Sequence, residues 1–150
     1  MHDQFTHEVR TAFGSGSMLQ ELYITPALLS ADNWDQLAAA ARWARRNQAI
    51  LIDSHWVGGD PLKGEVYGWA ACARDGAILT LRNPSGTSAS FQLDAMAAFE
   101  IWDRSAWPAT LQLRSPYADQ RMQQLLAPLD AAVTVELAAF EVIVFELHRS

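Results

Sequence analysis

Residues 51–61, with the sequence LIDSHWVGGDP, carry side chains whose types and spacing could do chemistry. An acid at Asp53, an imidazole at His55 and an indole at Trp56 follow an apolar run, and a glycine turn containing Asp60 ends the stretch. Carboxylates and imidazoles can transfer protons, and an indole offers a large apolar face with a polar edge. The stretch is therefore a candidate catalytic centre, a candidate platform for a sugar ring, or a strand that runs into a turn.

Three carboxylates lie close together along the chain, at Asp53, Asp60 and Glu65. Enzymes that hydrolyse glycosidic bonds use two carboxyl groups roughly 5–10 Å apart, so one hypothesis is a small glycosidase that uses Asp53 or Asp60 with Glu65. Aspartate is also common in turns, because its side chain hydrogen-bonds the nearby backbone. This second interpretation is favoured, and it makes the three residues a strand end, a turn residue and a strand start.

The motifs typical of a metal site or an activated nucleophile are missing from the sequence. The four histidines form neither HExxH nor another paired spacing, and the single Cys72 cannot build a thiolate cage. The GSGS stretch at 14–17 is not a nucleophile elbow. We therefore expect no metal and no cofactor, and we expect His55 to be a hydrogen-bonded residue at a strand end.

Tryptophan is the unusual component, with six in 150 residues. Most of them are expected to pack in the core, because a buried indole removes roughly 200 Å² or more from water. Trp56, beside the glycine turn, is the best candidate for a sugar platform. Trp107, which precedes Pro108, is a lesser candidate.

Composition and charge exclude several classes of partner. The chain carries a net charge of −6 and no basic stripe, so nucleic acid is excluded as a partner. No run approaches the ~18 apolar residues of a membrane span, and residues 1–17 lack the apolar region of a signal peptide. Half of the residues are hydrophobic, which is typical of a globular chain. We therefore expect a cytoplasmic protein without a membrane partner.

The first third of the chain predicts one helix. Asp32 is the expected N-cap of a helix over residues 33–48, in which Leu37, Ala41 and Ala44 share an apolar face. Residues 19–25 predict a short strand that Pro26 stops, and residues 1–17 predict a polar segment with a flexible glycine-serine join.

The remainder predicts a mainly β fold of about eight short strands in an antiparallel, Greek-key-like sandwich. The strand-like runs cover 49–53, 65–74, 77–82, 88–93, 98–102, 110–113, 133–137 and 140–148. Asp75-Gly76 predicts a hairpin, and Met122, Leu125 and Leu126 predict a short helix. The last run is apolar on both faces, so we expect it to lie centrally or to be covered on both sides.

Four stretches in this order resemble the C-terminal end of bacterial glycoside hydrolases of the α-galactosidase-like type. They are ELYITP (21–26), WARRNQAILIDSHWVGGDPLKGEVYGWA (43–70), AILTLRNPSGTSASFQLD (77–94) and LAAFEVIVFEL (137–147). The resemblance covers most of residues 18–148, and the order and spacing of the stretches carry it. Some proteins of this type are called enterotoxins, a label that the sequence does not justify physically.

The resemblance implies that a catalytic (β/α)₈ barrel precedes an antiparallel β-domain. Residues 1–48 would then be the remnant of the barrel end, and residues 49–150 would be the C-terminal β-domain. The catalytic aspartates of the family lie on earlier barrel strands, so no residue of this chain inherits a catalytic role. Ala139 stands where related chains often have proline, which is a small departure from the pattern.

Three hypotheses follow. The first is a non-catalytic β-domain of a carbohydrate-active enzyme, which stabilises the upstream catalytic barrel and contacts glycan through Asp53, His55, Trp56, Asp60 and Trp107. The second is the small glycosidase described above, and the third is a stand-alone interaction module without a sugar ligand. If a barrel is missing, the apolar helix face of Leu37, Ala41 and Ala44 must repack or mediate self-association.

Overall fold

The computed structural model describes residues 4–17 and 19–149 and shows a mainly β chain with an N-terminal helical layer. Within these ranges the α-helices are α1 (Gln4–Gly14), α2 (Ala31–Arg46), α3 (Gln48–Leu51) and α4 (Ala95–Ala98). The strands are β1 (His55–Gly58), β2 (Tyr67–Ala73), β3 (Gly76–Arg82), β4 (Ala89–Leu93), β5 (Thr110–Arg114), β6 (Gln124–Pro128), β7 (Val133–Leu137) and β8 (Val142–His148). None of the helices within the described ranges has the length and apolarity that a membrane span needs.

The strands form two antiparallel sheets. The larger sheet has the order β1-β2-β3-β8-β5-β6, and the smaller one pairs β4 with β7. Every observed strand pair is antiparallel. The predicted mainly β, antiparallel fold class is therefore confirmed, and so is the hairpin at Asp75-Gly76, where Ala73 pairs with Gly76.

The large sheet is covered on both faces, which follows from the apolar pattern of its central strands. Leu79 and Leu81 of β3 and Phe145 of β8 point into the core between the two sheets. Ile78 and Val144 alternate with them and pack against the helical layer. Because successive side chains of a strand point to opposite faces, a strand that is apolar throughout needs two covers. The central position predicted for the last strand is confirmed.

The C-terminal end of helix α2 is hydrogen-bonded to the large sheet. Trp43 is buried, and its indole Nε1 donates a hydrogen bond of 2.6 Å to a carboxylate oxygen of Glu146 on β8. Asn47 donates to the same oxygen at 3.2 Å. Tyr117, whose ring lies 6.1 Å from that of Trp43, is also buried, and burial raises the pKa of its hydroxyl above the usual range. These contacts bind residues 43–47 to the sheet.

The N-terminal segment departs from the prediction in two ways. Residues 4–14 form helix α1 instead of a polar, flexible segment, because Val9 packs against Leu37 and Ala40 of α2. The N-cap of α2 is Ser30 and not Asp32, since the Ser30 hydroxyl accepts a hydrogen bond from the Asn33 backbone in a capping box. Helix α1 thus covers the Leu37 part of the apolar face that was predicted to repack, and Met18 lies outside the described residues.

Four element predictions are wrong. Residues 19–25, all described, form no strand and are mostly exposed. Residues 48–51 form helix α3 within the run predicted as a strand, because short apolar runs do not separate helix from strand. Residues 98–102 form no strand, because Ala98 ends helix α4, which Asp94 caps, and a turn follows. Strand β6 replaces the helix expected near Leu125, because burial alternates along it with period two.

Candidate functional site

Three aromatic rings form a cluster on the outer face of β1 and β2. Trp56 pairs with Trp69 across the two strands, and Tyr67 pairs with Gly58 two residues further along. The rings of Trp56 and Tyr67 are stacked, with centroids 5.0 Å apart and planes 11° apart. Trp69 meets both rings edge-on, at 5.7 Å from Trp56 and 5.8 Å from Tyr67. We call these three residues the aromatic platform.

The aromatic platform is only partly covered. Helix α3 packs on the same face of the sheet further along β2, at Ala71. Trp56 lies on the edge strand and remains 49% exposed, whereas Tyr67 and Trp69 are half-buried. Since Tyr67 stacks on one face of the Trp56 indole, the opposite indole face is the one that a ligand could occupy.

The sequence pointed to Trp56 but not to its two partners. Tyr67 and Trp69 are separated by one residue on a strand, so they must share a face of the sheet. The stretch YGWA follows the glycine turn after Trp56, and an antiparallel pairing of the two strands would have predicted the contact. Pairing register was the missing information, because the short strand β1 carries too few residues to show its period.

His55 and Asp53 hold the start of β1. The His55 Nε2 atom lies 2.8 Å from the carbonyl oxygen of Ala98, at the end of helix α4, and Nδ1 lies 3.3 Å from the carbonyl oxygen of Asp53. The Asp53 backbone N–H closes the turn after α3 by donating to Ile50. His55 thus joins the edge strand to a loop of the other layer, which agrees with the strand-end role expected for it.

Asp60 and Glu65 are engaged with each other in one turn. The Glu65 carboxylate accepts a hydrogen bond of 2.7 Å from the Asp60 backbone N–H. The Asp60 carboxylate accepts one of 2.9 Å from the N–H of Leu62 and caps a 3₁₀ turn over Pro61–Lys63. Asp53 lies beyond the opposite end of β1, whose four residues span about 10 Å. The geometry fits turn formation and does not converge the three carboxylates on one cleft.

Trp107 lies apart from the aromatic platform. It precedes β5, which is separated from β2 by two intervening strands of the large sheet. Its ring packs against the core between the sheets, and the Arg149 guanidinium lies 4.4 Å above the ring centroid. The structure therefore does not bring the two candidate tryptophans together.

An ion pair borders the aromatic platform on the side of strand β3. Arg82 lies opposite Tyr67 across β2 and β3, and its guanidinium binds the Glu8 carboxylate of helix α1 with both terminal nitrogens. The hydrogen bond from Arg82 lowers the pKa of the Glu8 carboxyl, and the same bond raises the pKa of Arg82. The platform and this ion pair together offer apolar ring faces beside hydrogen-bonding groups, which suits binding more than turnover.

Metal chemistry finds no support within residues 4–17 and 19–149, where no group of three or more His, Cys, Asp or Glu side chains is placed to hold an ion. Cys72 is half-buried, and burial raises the pKa of its thiol. A raised pKa leaves less thiolate at neutral pH, so Cys72 has little nucleophilic character.

Comparison with known proteins gives structural neighbours alone. No family model matches the sequence, and no curated protein matches it. A candidate alpha-N-acetylgalactosaminidase from Bacillus halodurans aligns over 99% of this chain and 33% of its own, with 13% identity and a TM-score of 0.66. The maltogenic alpha-amylase AmyB from Thermotoga neapolitana aligns over 99% and 37%, with 13% identity and a TM-score of 0.62. An Anoxybacillus alpha-amylase aligns over 82% and 24%, with 11% identity and a TM-score of 0.52.

These neighbours share a fold with this chain. The chain spans about a third of the length of the first two neighbours, and almost all of it is aligned. At 13% identity the likeness concerns the path of the backbone and not any individual side chain. All three neighbours are glycoside hydrolases.

Proposed function

We propose that this chain is a non-catalytic β-domain of a larger carbohydrate-active enzyme, and that its aromatic platform contacts glycan. The observation that carries the glycan contact is the stacked pair of Trp56 and Tyr67, in which Trp56 lies on the edge strand and is 49% exposed. Aromatic faces pack well against the apolar faces of sugar rings, and the Arg82–Glu8 pair supplies polar groups beside them.

The fold likeness supports the domain assignment. Glycoside hydrolases contain this arrangement of helices and strands as about a third of a longer chain, so a catalytic domain elsewhere in the same polypeptide fits the pattern. The order of the stretches 21–26, 43–70, 77–94 and 137–147 supports the finer proposal of a bacterial α-galactosidase-like parent whose catalytic barrel ends within residues 1–48.

The glycosidase alternative has weaker support. The carboxylates of Asp60 and Glu65 each accept a hydrogen bond from the backbone of their own turn. A catalytic acid usually lies in a buried or charged environment, whereas the Glu65 and Asp53 side chains are exposed. We therefore assign the three carboxylates to the turn and to the junction before β1.

Removing the Trp56 ring tests the glycan contact. We expect saturable chemical-shift changes at the platform residues when ¹⁵N-labelled protein is titrated with galactose, raffinose and maltotriose. Trp56→Ala should weaken binding about tenfold or more, equivalent to about 1.4 kcal/mol, because the open stacking face is lost. Trp56→Phe should retain part of the affinity.

Trp102→Ala is the matched control, because Trp102 is 92% exposed and lies in the loop after helix α4. Its removal should leave binding unchanged. Product is monitored in the same samples, and release of sugar that Glu65→Gln abolishes would establish the glycosidase instead. Titrations without shifts and without product would favour an interaction module that binds no sugar.

Residues 19–28 carry exposed apolar side chains that could contact another domain. Leu19, Leu22, Tyr23 and Leu28 are all exposed, and Tyr23 is 93% exposed. Exposed apolar side chains grouped along one segment are typical of interfaces. We propose that the upstream catalytic barrel covers this segment in the parent enzyme.

Without the barrel, the same segment should mediate weak self-association. We expect the average mass in sedimentation equilibrium to rise with protein concentration, and the double variant Leu22→Asn/Tyr23→Asn to shift this rise to at least about fivefold higher concentration. Leu62→Asn is the control, because Leu62 is 96% exposed but lies in the Pro61–Lys63 turn. A wild-type chain that stays monomeric at all concentrations would contradict self-association through residues 19–28.

A further inference from the structure

A groove lies next to the aromatic platform, between helix α1 and the turn that joins β7 to β8. Its volume is about 420 Å³, within the range of small-molecule sites. Its lining includes Glu8, Arg82, Arg121, Phe140 and Glu141. The groove thus combines an aromatic ring with charged groups of both signs.

Phe140 is held in an unusual conformation at the rim of this groove. Its φ angle of 57° lies in the left-handed region, which is an outlier for a bulky residue. The Phe140 N–H donates to the carbonyl oxygen of Ser85 at 3.0 Å, and the next residue donates to that of Ala138 at 3.1 Å. These bonds fix the turn while 59% of Phe140 stays exposed. Strained residues that expose an apolar ring are candidates for a functional role.

The buried carboxylate of Glu141 stabilises the same turn through hydrogen bonds. It accepts hydrogen bonds from Arg121 Nε at 3.0 Å and Arg121 Nη2 at 2.8 Å. It also accepts the N–H of Ala138 at 2.7 Å. The hydrogen bond to Glu141 raises the pKa of Arg121. The exposed ring of Phe140 therefore stands on a rigid, hydrogen-bonded base.

The charges of the groove select the chemistry of the ligand. Arg82 is paired with Glu8, and Arg121 is paired with Glu141, so each guanidinium already binds a carboxylate. An anion would have to compete with these carboxylates, and a cation would have to compete with the guanidinium groups. A neutral polyhydroxylated molecule can donate to the carboxylates and accept from the guanidinium groups without breaking either pair. The Phe140 ring adds a face for an apolar patch of such a molecule.

Arg82 connects the groove to the aromatic platform. It lines the groove and pairs with Tyr67 on β2. Directly paired residues point to the same face of a sheet, so the groove meets the face that carries the platform at Arg82. From β1 to β8 the surface crosses three interstrand spacings, or about 14 Å.

We propose that the groove is a second sugar subsite, and that it binds an oligosaccharide together with the aromatic platform. This inference rests on the proposed glycan contact at Trp56. The surface is longer than one sugar ring, so oligosaccharides should bind more tightly than monosaccharides because they reach Phe140 from Trp56.

The test compares ligands of two lengths on variants of the whole chain. We expect raffinose or maltotriose to bind at least about tenfold more tightly than galactose or glucose in NMR or calorimetric titrations. Phe140→Asn should abolish this advantage while leaving monosaccharide binding unchanged. Asparagine tolerates the left-handed conformation, so the substitution removes the ring and retains the turn.

Leu126→Asn is the matched control, because Leu126 is 52% exposed and lies on β6 at the far edge of the large sheet. Thermal unfolding confirms that each variant is folded. A second variant, Arg121→Lys, keeps the charge but loses the two-point contact with Glu141, and should weaken oligosaccharide binding alone.

The outcomes separate the two proposals. If Trp56→Ala weakens binding and Phe140→Asn does not, the second subsite is wrong and the glycan contact stands. If monosaccharides and oligosaccharides bind equally well to the wild type, the second subsite is also wrong. If no sugar produces shifts in the wild type, both proposals are wrong.

Discussion

Replacing Trp43 with alanine is expected to lower the free energy of unfolding by about 3–5 kcal/mol. The Trp43 indole is buried between helix α2 and the large sheet, where it packs against Tyr117 and Val144. Its loss leaves a cavity and removes the donor that Glu146 binds at 2.6 Å. Urea unfolding followed by circular dichroism measures the change.

Two further variants separate the contributions to this effect. Trp43→Phe keeps most of the ring but removes the N–H, so it should cost less than the alanine variant. Trp34→Ala, on the same helix and exposed, should change stability by no more than about 0.5 kcal/mol. A Trp43→Ala protein as stable as the Trp34→Ala protein would show that helix α2 is not bound to the sheet as described.

The strands of the sandwich were predictable where sequence and burial share a period. β3 and β8 are largely apolar runs and β7 alternates apolar with polar residues, and the structure places strands at all three. β6 was not predictable in the same way, because Met122, Leu125 and Leu126 have helical spacing although burial alternates along the strand. Long apolar runs therefore carried the fold class, while short mixed runs did not settle the element type.

Helix α1 escaped prediction because long-range contacts hold it in place. Its sequence, QFTHEVRTAFG, is polar with few apolar positions. Arg10 provides the main anchor, since it is buried, binds Asp119 at 2.7 Å and lies 4.0 Å above the Tyr117 ring. Both partners are more than 100 residues away in the sequence, so no local pattern could reveal them.

The candidate site was only partly predictable, because most of its residues meet through contacts that are distant in the sequence. Trp56 drew attention because it lies beside a glycine turn, and local chemistry sufficed for that inference. Tyr67, Trp69 and Phe140 became relevant only through pairing register and the path of the turn between β7 and β8. A binding surface built from neighbouring strands is a property of the fold, whereas a turn acid such as Asp60 is a property of its own sequence neighbourhood.

The aromatic platform depends on Gly68, which has no side chain. Gly68 lies between Tyr67 and Trp69 on β2 and is buried. An added methyl group would overlap the carbonyl oxygen of Thr80, and it would lie 2.8 Å from the Thr80 carbonyl carbon and 2.9 Å from the Leu81 Cα. These neighbours are backbone atoms of β3, so they cannot rotate away as a side chain could.

Gly68→Ala is therefore expected to force β2 away from β3 and to lower the free energy of unfolding by about 3 kcal/mol. Because β2 carries two of the three platform rings, the indole N–H signals of Trp56 and Trp69 should shift, and sugar affinity should fall together with stability. Urea unfolding and ¹⁵N spectra of the Gly68→Ala variant measure these effects.

Gly64→Ala is the control that isolates backbone conformation from crowding. Gly64 has a φ of 74°, and an added methyl group would meet only the Ser85 Cβ at 3.9 Å. It should cost about 1–2 kcal/mol through its left-handed conformation and should leave the indole signals in place. If Gly68→Ala costs no more than Gly64→Ala and retains the wild-type indole signals, β2 and β3 are not as close as described. The geometry of the aromatic platform would then have to be reconsidered, since both of its β2 rings are positioned by that strand pair.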